Sequence, residues 1–219
     1  MSAVPEPGKP ARLGILLSGR GSNFLAIAES IRSGILKGKA EIAVVISNVA
    51  EAAGLERASA LGMPTALFVS KGRKRAEHDA DVADCLRQHD VDLVILAGYM
   101  RLLSPEFITA FPNLILNIHP SLLPAFPGLD AQAQAFDYGC RIAGCTVHFV
   151  DEQLDHGVIV LQRSIPVLDE DDAHSLAERL LVEEHQAYAE AIARVISGAY
   201  RVAGRRYVPN SGNAANPVK

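Results

Sequence analysis

The feature that most constrains this chain is a series of short apolar runs that do not alternate with polar residues. Leu13–Ser18, Ile42–Ser47, Thr65–Val69 and Leu93–Ala97 are apolar almost throughout. Uninterrupted runs of this length describe strands buried on both faces, as in a parallel sheet covered by helices. The segments between them supply the helices. Phe24, Ile27, Ala28 and Ile31 recur at helical spacing up to Ser33 and Gly34, Ala50–Leu61 reads as a helix stopped by Gly62, and Arg75–His89 is charged and amphipathic. The order is βαβαβαβ.

Past this half the pattern changes. Leu114–His119 is a further strand, Pro120–Gly128 a proline-rich loop and Gln132–Tyr138 a short helix. Ala143–Val150 and Val158–Pro166 are close enough in sequence to pair antiparallel. A long helix follows over Asp172–Ser197, opened by acidic residues and closed by Gly198. The expected fold is α/β: a Rossmann-like, mostly parallel twisted sheet with helices on both faces and antiparallel strands toward the C-terminal half. With 219 residues and 49% hydrophobic content, one catalytic domain over residues 12–208 is the economical division. The proline-rich start, residues 1–11, is expected to be a disordered tail, and residues 209–219 a second tail.

A net charge of −4, with no clustered basic excess, speaks against a nucleic-acid partner. Apolar stretches such as Val91–Gly98, which holds Asp92, fall far short of the roughly 20 residues of a membrane span, and the N-terminus lacks a signal core. A cytoplasmic protein without membrane contact is expected. Cys85, Cys140 and Cys145 are an odd set without CxxC spacing, which fits reduced thiols, and Cys140 and Cys145 with His148 or His156 match no common zinc pattern. No metal is expected.

Three stretches carry chemistry. SGRGSN, Ser18–Asn23, lies between the first strand and helix, where backbone N–H groups form anion sites. It departs from a dinucleotide fingerprint because Phe24 stands at the third glycine position, and it lacks the P-loop lysine. The alternative is a tight, well-capped turn. LNIHPSLLP, Leu116–Pro124, ends a strand with Asn117 and His119 two positions apart, hence on one face, and Pro120 stops the strand beside them. A histidine there is either a satisfied structural group or an acid/base at the end of a strand, where α/β sheets bind ligands. LDHG, Leu154–Gly157, is an ordinary turn by itself, but Asp155 would complete an amide donor, an imidazole and an orienting carboxylate. No nucleophile accompanies them, so the set suits attack by a substrate's own amine on a carbonyl.

Taken in order, SGRGSN, VVISN with GLERA, LAGYMRLL, NIHPSLLP and TVHFVDEQLDHGVIVLQ closely resemble the glycinamide ribonucleotide formyltransferases of purine biosynthesis, from about Arg12 to Gly198. The resemblance implies transfer of a formyl group from 10-formyltetrahydrofolate, a co-substrate, to glycinamide ribonucleotide through a tetrahedral intermediate. By matching positions, Asn117, His119 and Asp155 are the implied catalytic trio. Gly21, Ser22 and Asn23 are the implied ribonucleotide phosphate loop, with Glu184 gripping the ribose. Arg75, Met100, Arg101, Leu102, Leu103, Asn117, Asp151, Glu152, Gln153, Leu154 and Asp155 are the implied folate contacts, Arg75 being one of a cluster with Arg73 and Lys74. The segment AFPGLDAQ, Ala125–Gln132, departs from many relatives in lacking a Lys–Tyr pair and histidines. Whether the chain is a monomer or a homodimer is left open.

Sister activities share the trio. A formyltetrahydrofolate hydrolase would pass the formyl group to water and carry a regulatory domain ahead of the catalytic one; a methionyl-tRNA formyltransferase would need a further C-terminal domain and a basic surface. The chain length and charge are expected to argue against both. A non-catalytic nucleotide-binding module would account for SGRGSN and the parallel sheet but not for the trio.

Overall fold

The computed structural model describes residues 3–210. Seven strands, β1 (Ala11–Leu17), β2 (Ala40–Ser47), β3 (Thr65–Leu67), β4 (Leu93–Leu96), β5 (Ile115–His119), β6 (Ile142–Phe149) and β7 (Ile159–Pro166), form one sheet in the order β3-β2-β1-β4-β5-β6-β7. The first five pair in parallel, and β6 and β7 continue the sheet antiparallel. The helices are α1 (Ser22–Ser33), α2 (Ala53–Ala60), α3 (Arg75–Gln88), α4 (Pro105–Ala110), α5 (Ala131–Asp137) and α6 (Ala173–Ile196), and β8 (Tyr200–Ala203) and β9 (Arg206–Pro209) form a separate hairpin.

The unbroken apolar runs are explained by what lies on each side of the sheet. Leu13, Ile15 and Leu17 of β1 and Leu93 and Ile95 of β4 join Phe24 and Ile27 of α1 and Leu180, Tyr188 and Ile192 of α6 in one cluster. The intervening Leu16, Val94 and Leu96 face a second cluster with Val82 and Leu86 of α3 and Phe107 of α4. Both faces of these strands are therefore dry, and each fully buried aliphatic side chain contributes about 1.5–3 kcal/mol relative to exposure. The buried hydroxyl of Tyr188 donates to the carbonyls of Leu96 and Leu116, at 3.0 and 2.9 Å, and pins α6 across β4 and β5. Burial holds that phenol well above its ordinary pKa.

The capping of α6 follows the sequence: Asp172 accepts from the Ser175 N–H, and the Ser175 hydroxyl accepts from the Asp172 N–H. Strand and helix ends differ from the sequence reading by one to three residues, as in Ala53 rather than Ala50 for the start of α2 and Leu67 rather than Val69 for the end of β3. Two features have no counterpart in that reading. Helix α4 has only six residues, too few for a periodic signal, and is started by Ser104, whose side chain accepts from the Phe107 N–H, and by Pro105. The β8–β9 hairpin packs Tyr207 edge-on against Phe149, with ring centroids 5.5 Å apart, and stacks it on Tyr200 at 5.4 Å.

Of the two expected tails, residues 1–2 and 211–219 lie outside the described residues. Residues 3–10 form no helix or strand, although Ala3 packs against both core clusters, and Ala11 already belongs to β1. Among the described residues no helix is long and apolar enough to cross a membrane, and no group of three or more His, Cys, Asp or Glu side chains is arranged to hold a metal ion. Cys145 and His148 lie three positions apart on β6 and project to opposite faces, Cys145 into the core shared with α6.

Candidate active site

On β5 and β6, Leu116, Ile118, Val147 and Phe149 face the cluster built with α6. Strand alternation then sends Asn117, His119, Thr146 and His148 to the other face, with Asn117 opposite His148 and His119 opposite Thr146 in the antiparallel register. Here loops rather than a helix cover the sheet. The loop between β6 and β7 brings Asp155 in, and residues 120–131 lie over His119.

His119 is 5% exposed. Its Nε2 lies 2.8 Å from the carbonyl oxygen of Phe126 and its Nδ1 lies 3.4 Å from Asp155 Oδ2. The Phe126 carbonyl can only accept, so Nε2 carries a proton, and the Asp155 carboxylate faces Nδ1. Asp155 Oδ2 also accepts from the Gly128 N–H at 2.8 Å, which ties the two covering loops together. Asp155 sits at φ 50°, a left-handed conformation that Asp and Asn tolerate better than most residues.

The sequence reading did not assign His148 to this site. Its Nδ1 lies 2.8 Å from the Phe149 carbonyl oxygen, so Nδ1 carries the proton and Nε2 accepts from Asn117 Nδ2 at 3.2 Å. Burial pushes the His148 pKa below its ordinary value, which keeps it neutral and able to accept. The consequence is a fixed amide: one N–H of Asn117 is spent on His148 and the other remains to be aimed into the site. The signal was present in Thr-Val-His-Phe, where polar residues alternate with apolar ones in a strand flanked by dry neighbours.

A second cluster lies at the C-terminal end of β1. Gly21, at φ 73°, is the N-cap of α1, and no side chain caps the first turn. The helix therefore presents its first backbone N–H groups outward. A Cβ on Gly21 would lie 2.9 Å from the Gly54 Cα, and one on Gly54 would lie 2.8 Å from Leu17 and 3.0 Å from the Gly19 carbonyl oxygen. The Gly54 N–H donates to that same oxygen at 2.9 Å. SGRGSN and GLERA are thus one packed unit. Asn23, 8% exposed, donates through Nδ2 to Glu184 Oε2 at 2.9 Å, and its Oδ1 is buried without a hydrogen-bond partner. Burial raises the pKa of Glu184, opposed by the bond from Asn23.

The third group is the loop from Gly98 to Ser104 after β4. Met100 and Leu102 are 72% and 56% exposed, whereas Leu103 turns into the second core cluster. Only the first two side chains are therefore available as surface; Leu103 contributes its backbone. Arg101 has a buried Nε without a partner. In the loop after β6, Asp151 accepts from the Gln153 N–H at 3.0 Å and pairs with His156 Nδ1 at 2.8 Å, while Glu152, Gln153 and Leu154 are exposed. In the basic stretch before α3, Arg73 pairs with Asp81 at 2.7 Å and Lys74 lies 3.5 Å from Glu77. Arg75 is exposed and has no ion pair among the described residues.

Residues 11–192 match the Formyl transferase family. The chain is 42% identical over 199 residues to the trifunctional purine biosynthetic protein adenosine-3 of Drosophila pseudoobscura pseudoobscura; the match covers 90% of this chain and spans 14% of that protein. It is 41% identical over 192 residues to the phosphoribosylglycinamide formyltransferase of Haemophilus influenzae, covering 87% of this chain and 90% of that protein. The crystal structure of glycinamide ribonucleotide transformylase 1 from Symbiobacterium toebii superposes with a TM-score of 0.88 at 47% identity, covering 93% of this chain and 96% of that one. With its sheet, its glycine loop and its Asn117–His119–Asp155 cluster, the chain belongs to the formyl transferase family.

Proposed function

We propose that this protein transfers the formyl group of 10-formyltetrahydrofolate to the amine of 5'-phosphoribosylglycinamide, in the cytoplasm and through one catalytic domain, residues 12–208. The observation that carries the reading is the convergence of Asn117 and His119, on one face of β5, with Asp155 from the β6–β7 loop. The amine attacks the formyl carbon and forms a C–N bond while the carbonyl π electrons move onto oxygen. The free N–H of Asn117, oriented by neutral His148, donates to that oxygen, and protonated His119 stabilises the same charge. As the bond to the folate nitrogen breaks, His119 delivers to that nitrogen the Nε2 proton otherwise held by the Phe126 carbonyl, and recovers one from the attacking amine. Asp155 orients the imidazole.

Gly21, Ser22 and Asn23 hold the ribonucleotide phosphate on the α1 N-terminus, and Glu184 holds the ribose. Met100, Leu102 and Leu154, all exposed, offer apolar surface to the pterin. The backbone of Arg101 to Leu103 and of Asp151 to Leu154, with Asn117 and Asp155, reads its polar edge, and unpaired Arg75 meets the anionic end of the folate. Glu152 and Gln153 contribute as part of that backbone. Purified protein given both substrates should produce the absorbance change of the deformylated folate only when the ribonucleotide is present. Equal turnover without ribonucleotide would assign the chain to hydrolysis; no turnover in either case would refute the enzymatic reading.

A further inference from the structure

Four strand ends are joined by a line of side chains that has no place in the scheme above. Ser18, the first residue after β1, donates its backbone N–H to the Gly98 carbonyl at 3.0 Å, and its Oγ accepts from the Met100 N–H at 2.8 Å. Both bonds fall on the first turn of the loop that carries Met100 to Leu103. With its lone pair so engaged, the Ser18 hydroxyl donates to Asn48 Oδ1 at 2.6 Å. Asn48, 6% exposed and just past β2, donates from Nδ2 to the Ser70 Oγ at 3.1 Å, and its carbonyl accepts from the Ser70 N–H at the same distance. Every donor in the line has one acceptor, so the direction of each bond is fixed by the next. The line runs from Ser70 through Asn48 and Ser18, three residues before Gly21, to Met100 in the loop after β4.

Building on the proposed activity, we infer that Ser18 is a positioning residue for the folate loop, and that it links the two substrate loops through the Asn48-oriented hydroxyl. Ser18 precedes the ribonucleotide's loop in the chain, yet its side chain bonds Asn48 and the Met100 N–H and makes no hydrogen bond to Gly21, Ser22 or Asn23. Its removal should therefore be felt by the more distant substrate. Ser18→Ala deletes the acceptor of the Met100 N–H without adding volume, while the backbone bond to Gly98 remains. Loss of that one anchoring hydrogen bond should raise the folate KM roughly fivefold to tenfold. The ribonucleotide KM should stay within about twofold, with kcat at saturating substrates little changed. Ser18→Thr, which restores a hydroxyl, should recover most of the loss. Asn48→Leu removes the group that orients the hydroxyl and should reproduce the Ser18→Ala effect, with the double variant clearly less than additive because the two changes break one line.

The experiment is steady-state kinetics on wild type, Ser18→Ala, Ser18→Thr, Asn48→Leu and Ser18→Ala/Asn48→Leu, varying each substrate in turn. Calorimetric titration with tetrahydrofolate gives the same folate comparison independently of turnover. Absence of wild-type turnover would remove the proposed activity and this inference with it. Wild-type turnover combined with an unmoved folate KM in Ser18→Ala, or with equal rises for both substrates, would overturn the link alone.

Discussion

Gly157 stands two residues beyond Asp155, and replacing it with alanine tests how tightly the covering loop must be placed. An ideal Cβ at Gly157 would lie 1.8 Å from the Phe149 carbonyl oxygen and 2.7 Å from its carbon, both backbone atoms. Real Cβ atoms essentially never approach closer than 3.0 Å, so the loop must retreat by about 1.2 Å from the end of β6. Such a movement would carry the 3.4 Å separation between His119 Nδ1 and Asp155 Oδ2 past the roughly 4 Å at which an ion pair is counted. A misplacement of about 1 Å can cost on the order of 10²-fold in rate. We expect Gly157→Ala to lower kcat about 10²-fold while leaving the ribonucleotide KM unchanged, since the phosphate loop is on a different strand. Overpacking should also cost about 1–3 kcal/mol, or roughly 2–4 °C in Tm per kcal/mol for a chain of this size. Rates should therefore be measured by folate absorbance at 25 °C beside a thermal melt. A folded variant with kcat within threefold of wild type would show that the position of Asp155 is not set by the 157–149 contact.

Asp155→Asn keeps the shape of the side chain and suits the left-handed backbone, so Tm should hold while kcat falls on the order of 10²–10⁴-fold; near wild-type turnover at pH 7 would remove the carboxylate from the mechanism. Gly21→Val places a β-branched residue at φ 73° and against Gly54, and should raise the ribonucleotide KM more than tenfold with the folate KM nearly constant, which a pair of substrate titrations on the folded variant checks. The raised pKa of Glu184 means that the folded state binds a proton more tightly than the unfolded chain. Its contribution to stability is accordingly present below the ordinary glutamate value of 4.5 and is lost as pH rises from there through the folded value. Glu184→Gln should thus melt higher than wild type at pH 7 and equally at pH 4, while binding the ribonucleotide more weakly; an unchanged difference between the two pH values would contradict this.

The parallel half of the fold was readable because burial on both faces leaves unbroken apolar runs, as Leu16 and Val94 illustrate by facing one cluster while Ile15 and Ile95 face the other. Helix α4 was not readable because six residues give no period, and its start depends on a cap at Ser104 rather than on propensity. Asn117 and His119 announce themselves by spacing alone. Asp155 does not, since an Asp–x–Gly turn is common and only the tertiary return of the loop brings it to His119. His148 and Ser18 were passed over for a related reason. Each acts by orienting another polar group across strands, and cross-strand register is set by the folded sheet.

The bond from Asn23 to Glu184 joins residues 161 positions apart. One half of the cluster proposed to hold the ribonucleotide is thus made in the first turn of the first helix and the other in α6. During synthesis the glycine loop emerges early and waits, incomplete, for α6, whereas Asn117, His119, His148 and Asp155 all fall within one short span of chain. The two half-sites therefore differ in contact order, and a ligand that bridges α1 and α6 acts as a clasp on the whole chain. At a hundredfold excess over its Kd such a ligand stabilises the native state by about 2.7 kcal/mol, and because the clasp spans both ends of the domain, that protection extends to global unfolding rather than to a single loop.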